Sequence, residues 1–218
     1  MKSLILKDLY NIGHNAKSML FMLLVFAVII IPQGGPDTYI ITSGILCSMM
    51  VITTFSFDDN SKWTKYAMIT PISKKDLVGS KFCVLLIFST VGVVCGLLIG
   101  VIGGILLQKI TLNSFVSIVS LLGVTFIGLV IAVIFGSISI PLLFKFGAEK
   151  ARTLSLVVFV VPVIICYAIY KLLVFFGVSM TDQLLFVFLC CSPIIAVLWN
   201  YVMYKISYSI FSKKELLF

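Results

Sequence analysis

The stretch FCVLLIFSTVGVVCGLLIGVIGGILLQ, residues 82–108, contains no charged residue. A helix of about 20 apolar residues crosses the ~30 Å hydrocarbon core of a membrane. Backbone amides inside lipid must be bonded within the segment, and this stretch is much longer than the strand of a membrane barrel, so we expect a helix. Residues 82–108 therefore predict an α-helical membrane protein.

The rest of the chain repeats this pattern. Of its 218 residues, 61% are hydrophobic and 11% are charged, whereas soluble domains have about 45–50% and 25%. Five further uncharged runs are long enough to span a membrane, and the longest, residues 110–144, is too short for two spans with a turn. We predict an all-α membrane protein with a single domain, residues 1–218, and six transmembrane helices at about 16–32, 38–56, 78–107, 113–143, 153–175 and 183–208.

Positive charge marks one side of the predicted bundle. Of the 16 Lys and Arg residues, only Lys109 and Lys171 fall outside the two chain ends and the alternate connections 56–81 and 145–152. This asymmetry predicts that both termini lie in the cytoplasm. We attribute the net charge of +8 to orientation and to anionic lipid headgroups, and we expect no nucleic-acid partner. No cleaved signal peptide is expected.

Two further patterns concern helix packing and the membrane surface. Small residues at every fourth position let a second helix approach closely, and the third predicted span has this spacing at Gly92, Gly96, Gly100 and Gly104. In residues 1–15, polar residues recur at spacings of four, four and three. That periodicity predicts an amphipathic helix that lies in the interface before the first span.

The connection SKWTKYAMITPISKKD, residues 61–76, is the least apolar stretch of the chain. The residues at 58–61 are types that begin helices, and Pro71 ends them, so a short amphipathic helix is predicted here. Two interpretations remain open for it: an ordinary positive loop with an interfacial Trp, or a handle for a cytoplasmic partner. The common face of the predicted helix consists of Trp63, Tyr66 and Ala67.

The end of this connection carries a second helix-start signal. Ser73 is followed three residues later by Asp76, which is the spacing of a capping box. We therefore predict that a helix starts at Ser73 and continues into the third span.

Motifs for catalysis and nucleotide binding are absent from the sequence. No Asp or Glu falls inside a predicted span, which disfavours an ion-coupled carrier, and neither HExxH nor GxxxxGK[ST] occurs. We predict no catalytic residue, metal site or cofactor in this chain, so any ATP would bind to another protein. The six cysteines lie in apolar runs, where we expect them to pack as small hydrophobic residues.

The polar residues that could face a pathway through the predicted spans are Ser, Thr and Asn, among them Ser137, Ser139 and Asn200. Such residues suit a pathway for a bulky, partly apolar solute. They are equally suited to bridging neighbouring helices.

The chain resembles the small ABC-2 type permeases of bacterial ABC exporters. The resemblance rests on three stretches together with the six predicted spans, and it covers essentially the whole chain. These stretches are LILKDLYN at 4–11, TTFSFDDNSKWTKYAMITPISKKDLVGSKF at 53–82 and PLLFKFGAEKAR at 141–152.

The resemblance implies roles that composition alone does not give. Residues 1–15 would be an elbow helix, and residues 58–76 would hold the coupling helix that docks on a cytoplasmic ATPase subunit. Two permease chains and two ATPases would form the unit, with ATP and Mg²⁺ bound by the ATPases. The implied docking residues are Asp58, Asp59, Lys62, Trp63, Tyr66, Met68 and Pro71, with a second contact at Lys145, Glu149 and Arg152.

Within that family, the chain looks most similar to permeases that export amphipathic peptides, such as phenol-soluble modulins and antimicrobial peptides. The expected function is therefore the multi-pass permease subunit of an ATP-driven peptide exporter in the bacterial cytoplasmic membrane. Two alternatives remain: a membrane scaffold that recruits a cytoplasmic protein, and an ion-coupled carrier of small molecules.

Overall fold

The computed structural model describes residues 1–13, 15–70, 72–109, 115–153 and 182–213, with isolated residues between 160 and 171. Side chains are not described at 65, 115–116, 151–153 and 182–191. The described residues contain no strand, which confirms the all-α prediction for them. Their helices are α1 Lys2–Gly13, α2 Ala16–Ser48, α3 Met50–Asn60, α4 Trp63–Ile69, α5 Lys74–Leu106, α6 Phe115–Thr153 and α7 Asp182–Lys213.

Helix α2 reverses direction at Gly35. This residue has φ 80° and ψ 173°, a conformation that glycine adopts without a steric penalty. The Tyr39 hydroxyl donates a hydrogen bond of 3.0 Å to the carbonyl of Leu23, although an unbroken helix would separate the two residues by about 24 Å. The two limbs of α2, residues 16–34 and 36–48, therefore lie side by side.

The second limb of α2 packs closely along α5 at the predicted glycine face. Gly92 lies against Cys47, Gly96 against Ser43, and Gly100 against Ile40. Residue numbers rise along one helix as they fall along the other, so the two helices are antiparallel. Gly104 is also buried in α5.

The remaining helices surround this pair. Helix α6 packs against α2, α3, α5 and α7, and it breaks at Gly147, where φ is 77°. At one end of the bundle, the ring of Phe144 meets Phe55 edge-on at 4.9 Å and Phe211 at 5.1 Å. This aromatic core lies beside α4.

Four described stretches are long and apolar enough to cross a membrane: Ala16–Asn60, Lys74–Leu106, Ser117–Lys150 and Ser192–Lys213. The prediction of a membrane protein with spanning helices is confirmed. The first of these stretches contains the reversal at Gly35. The predicted span at 153–175 lies largely outside the described residues, so the count of six stays a prediction.

The two helix-start signals of the 58–76 connection have different outcomes. Ser73 is the N-cap of α5 and accepts a 3.1 Å hydrogen bond from the backbone N–H of Asp76, which confirms the predicted start. The prediction that residues 58–61 begin a helix is wrong, because α3 continues to Asn60. The carboxylates of Asp58 and Asp59 accept hydrogen bonds from residues of other helices. The helical conformation is interrupted at Lys62, whose φ of 53° is left-handed.

Candidate functional site

Helix α4 presents one face to the bundle and another to the surroundings. Ala67 is fully buried, and Trp63, one turn earlier, is half-buried against the aromatic core. Tyr66 and Ile69 are 61% and 72% exposed. The prediction that Trp63, Tyr66 and Ala67 share a face is therefore wrong for Tyr66, because residues 66 and 67 differ by about 100° around a helix.

The other residues predicted in this helix have different surroundings. Lys62 is exposed at the break that precedes α4, and Met68 is half-buried against the core. Pro71 lies outside the described residues. Among the described side chains, the outward surface at α4 includes Lys62, just before the helix, together with Tyr66 and Ile69.

A cluster of four charged side chains lies beside α4 at the junction of α1, α3 and α5. The Lys81 ammonium donates hydrogen bonds of 2.9 Å to Asp8, 2.6 Å to Asp58 and 3.2 Å to the Thr54 hydroxyl. Lys7 bonds the other oxygen of Asp58 and lies 3.3 Å from Asp8 Oδ1. We call Lys7, Asp8, Asp58 and Lys81 the Lys81 cluster.

Three of the four members of the Lys81 cluster are buried, and the cluster contains equal numbers of positive and negative groups. Lys81, Asp8 and Asp58 are 2%, 1% and 6% exposed. Buried charges are tolerated when they are paired and hydrogen-bonded. The cluster therefore fixes α1 and the end of α3 to the start of α5.

Sequence reasoning assigned no role to Lys7, Asp8 or Lys81 in such a cluster. A signal for Asp8 is present, because the residues that α1 buries are Leu4, Asp8 and Ile12, and their spacing of four places a carboxylate within an apolar stripe. A charge in that position needs a buried partner. Nothing in the local sequence identifies Lys81 as that partner.

Asp58 and Asp59, both predicted as docking residues, are bound within the chain. Asp58 is a member of the Lys81 cluster and offers little surface to a partner. One carboxylate oxygen of Asp59 accepts a 2.8 Å hydrogen bond from the backbone N–H of Ala148. Since Ala148 follows the break at Gly147, Asp59 caps the last segment of α6.

The hydrogen bond between Asp59 and Ala148 brings the two predicted contact regions, residues 58–71 and 145–152, together. A cleft between them is lined by Asp59 and Asn60 on one side and by residues 146–150 on the other. Lys145 and Glu149 are exposed near this cleft, and the side chain of Arg152 lies outside the described set. The two regions can therefore form one continuous surface.

Replacing Asp59 by alanine is expected to loosen this junction. The variant loses the cap on Ala148, a change that costs about 1 kcal/mol of the free energy of unfolding. The measurement is the midpoint of thermal unfolding in detergent, with Asn60→Ala as the neighbouring control. Asp59→Asn, which keeps an acceptor oxygen, should recover most of the loss, and equal midpoints for Asp59→Ala and the control would contradict the capping role.

Two of the polar residues considered for a pathway are buried between helices. Ser137 and Ser139 are 0% and 2% exposed, and the indole N–H of Trp199 donates a 3.1 Å hydrogen bond to the Ser137 hydroxyl. Ser137 therefore bridges α6 and α7. Asn200 donates to the carbonyl of Ala196 within α7.

The comparison with protein families decides the class of the protein. Residues 3–212 match the family model described as an ABC-2 family transporter protein. The chain belongs to the ABC-2 transporter family. A comparison with curated proteins finds no match. This ABC-2 chain is a transport permease, and its family works with ABC ATPases in general.

Proposed function

We propose that the chain is the permease subunit of an ATP-driven exporter and that α4 is the helix on which its ATPase docks. The observation that carries the proposal is the exposure of Tyr66 and Ile69 on a short helix whose opposite face is fixed to the bundle. Tyrosine is enriched at protein interfaces and among the residues that dominate their binding energy. Lys62, immediately before this helix, is also exposed.

The surface around α4 has room for such a contact. A cavity of about 240 Å³ opens beside Lys62, and its walls include Phe55, Leu143, Phe144 and Phe211. An apolar side chain of the ATPase could enter this recess while the exposed face of α4 lies in a groove of the ATPase. The cleft at residues 146–150 extends the same surface.

The proposed topology has six spans, with both termini and α4 in the cytoplasm. It is supported by the distribution of Lys and Arg and by the reversal at Gly35, which leaves two limbs in the stretch 16–60. Helix α1 would be the elbow helix at the membrane surface. Two copies of the chain, or one copy and a related chain, would pair with two ATPases.

The proposed substrate is an amphipathic or hydrophobic peptide, such as a toxin or antimicrobial peptide, moved out across the bacterial cytoplasmic membrane. The resemblance to exporters of such peptides supports this assignment. Reconstitution with an ATPase and a panel of amphipathic helical peptides tests it by measuring peptide-stimulated ATP hydrolysis. Complex formation without stimulation by any peptide would instead favour a scaffold that only recruits the ATPase.

The docking assignment makes a direct prediction for the exposed face of α4. The double change Tyr66→Ala and Ile69→Ala should reduce the amount of ABC ATPase that co-purifies with the permease at least about tenfold, because it removes both apolar anchors. The matched control is Tyr10→Ala, since Tyr10 is 74% exposed on α1. Equal recovery of the ATPase with both variants would exclude α4 as the docking helix.

A further inference from the structure

We propose that Lys7 is a positioning residue that fixes α4 to α1, so that a displacement of the docking helix reaches the N-terminal helix directly. This inference rests on the proposed function for its consequence in transport. Its structural part concerns contacts inside the permease alone. The juxtaposition that carries it is the Lys7 ammonium between the Trp63 ring and the carboxylate of Asp58.

Helix α4 depends on side-chain contacts for its position. It has only 7 residues, and helices this short are not stable by themselves in water. It follows the left-handed residue Lys62, and no side chain caps its start. The inward residues of α4 must therefore hold it against the bundle.

Trp63 is the first of those inward residues, and Lys7 is its contact on α1. The ammonium of Lys7 lies 4.7 Å from the centroid of the indole ring, within the range of a cation–π interaction. The same ammonium bonds Asp58, at the end of α3. One side chain of α1 thus joins both sides of the break at Lys62.

The remaining members of the Lys81 cluster keep Lys7 in this place. Lys81 bonds the second oxygens of both Asp8 and Asp58, so the two carboxylates that face Lys7 are anchored to α5. The Lys81 side chain is 3% exposed, whereas the Lys7 side chain is 24% exposed. Lys81 is therefore the buried centre of the cluster, and Lys7 is the member that contacts α4.

Through these contacts, a displacement of α4 can be transmitted to α1 and α5. A displacement that begins at Tyr66 moves Trp63, because both lie in the same short helix. Trp63 acts on Lys7 and hence on α1, and Asp8 passes the displacement to Lys81 in α5. Without the Lys7 contact, Ala67 and Met68 would still hold α4 against the aromatic core, so the docking surface would remain but would no longer act on α1 through Trp63.

The structural part can be tested on the permease alone by the fluorescence of Trp63. The chain has two tryptophans, so Trp199→Phe leaves Trp63 as the single reporter. In that background, Lys7→Met should increase quenching of Trp63 by acrylamide about twofold, because a cation no longer covers one face of the ring. Lys2→Met is the control on the same helix, and Lys7→Arg should restore protection, since a guanidinium also stacks on an indole.

The functional part is tested in vesicles that contain the permease and an ABC ATPase. Lys7→Met should lower the amount of peptide moved per ATP hydrolysed about fivefold, while ATPase binding stays within about twofold of the parent value. Trp63→Leu leaves all four charges of the Lys81 cluster in place and should reproduce this loss, which separates it from misfolding of the cluster.

Each outcome has a distinct meaning. Quenching with Lys7→Met that equals the Lys2→Met value overturns the contact itself. Increased quenching with unchanged transport per ATP overturns the positioning role. Failure of any ATPase to bind the parent permease would overturn the proposed function, whereas the quenching result would still decide whether Lys7 holds α4.

Discussion

Replacing Lys81 by methionine is expected to lower the free energy of unfolding by about 3–5 kcal/mol, the usual cost of removing one partner from a buried ion pair. The change leaves Asp8 and Asp58 buried with Lys7 as their remaining cation. Both carboxylates also lose hydrogen bonds from the Lys81 ammonium. We expect the variant to aggregate at lower temperature in detergent and to express at lower yield.

Two further variants distinguish the effect of losing the buried ion pairs from the effect of replacing any lysine in this helix. Lys75→Met is the matched control, because Lys75 is exposed in the same helix, and it should change stability by about 0.5 kcal/mol or less. Adding Asp8→Leu to Lys81→Met leaves a balanced pair of Lys7 and Asp58, so it should recover a large part of the loss. Equal melting behaviour of Lys81→Met and Lys75→Met would contradict the structural role of the cluster.

The features that sequence predicted correctly are those that depend on neighbouring residues. A stretch such as 82–108 becomes a membrane helix because its own length and composition suit the bilayer. The start of α5 follows from Ser73 and Asp76, which lie one helical turn apart. Neither prediction needs information about distant parts of the chain.

The features that sequence missed depend on contacts between distant residues. Asp8 and Lys81 are 73 positions apart, and no local spacing indicates that they meet. The same contacts explain why residues 58–61 do not begin a helix: Asp58 and Asp59 bond Lys81 and Ala148 and do not cap α4. Tertiary ion pairs and hydrogen bonds here outweigh a local capping preference of about 1 kcal/mol.

The short helix on which we propose that the ATPase docks was predicted in part. The order of residues in 61–76 indicated a short helix at the right place, and α4 occupies residues 63–69. The side that faces outward could not be read from the sequence, since both Trp63 and Tyr66 are aromatic residues suited to an interface. Contacts with Lys7 and the aromatic core turn Trp63 inward.

The second large effect is expected at Gly92, where α5 meets the second limb of α2. A Cβ atom at this position would lie 2.8 Å from the Cys47 sulfur and 3.0 Å from the Ser43 carbonyl oxygen, and it would be closer still to the Cys47 Cβ. Neither a carbonyl oxygen nor a Cβ atom can rotate away from it. Gly92→Ala should therefore push the helices apart and cost about 1–3 kcal/mol.

The matched control for this change is Gly123→Ala, because a Cβ atom on Gly123 would meet, among the described residues, no atom within 4 Å beyond its chain neighbours and the backbone of its own helix. That variant should be neutral or slightly stabilising, since alanine favours a helix more than glycine. The swap Gly92→Ala with Cys47→Gly moves the small residue to the opposite helix and should restore much of the packing. Thermal stability in detergent distinguishes these variants, and a Gly92→Ala midpoint equal to that of Gly123→Ala would show that close approach at Gly92 is not required.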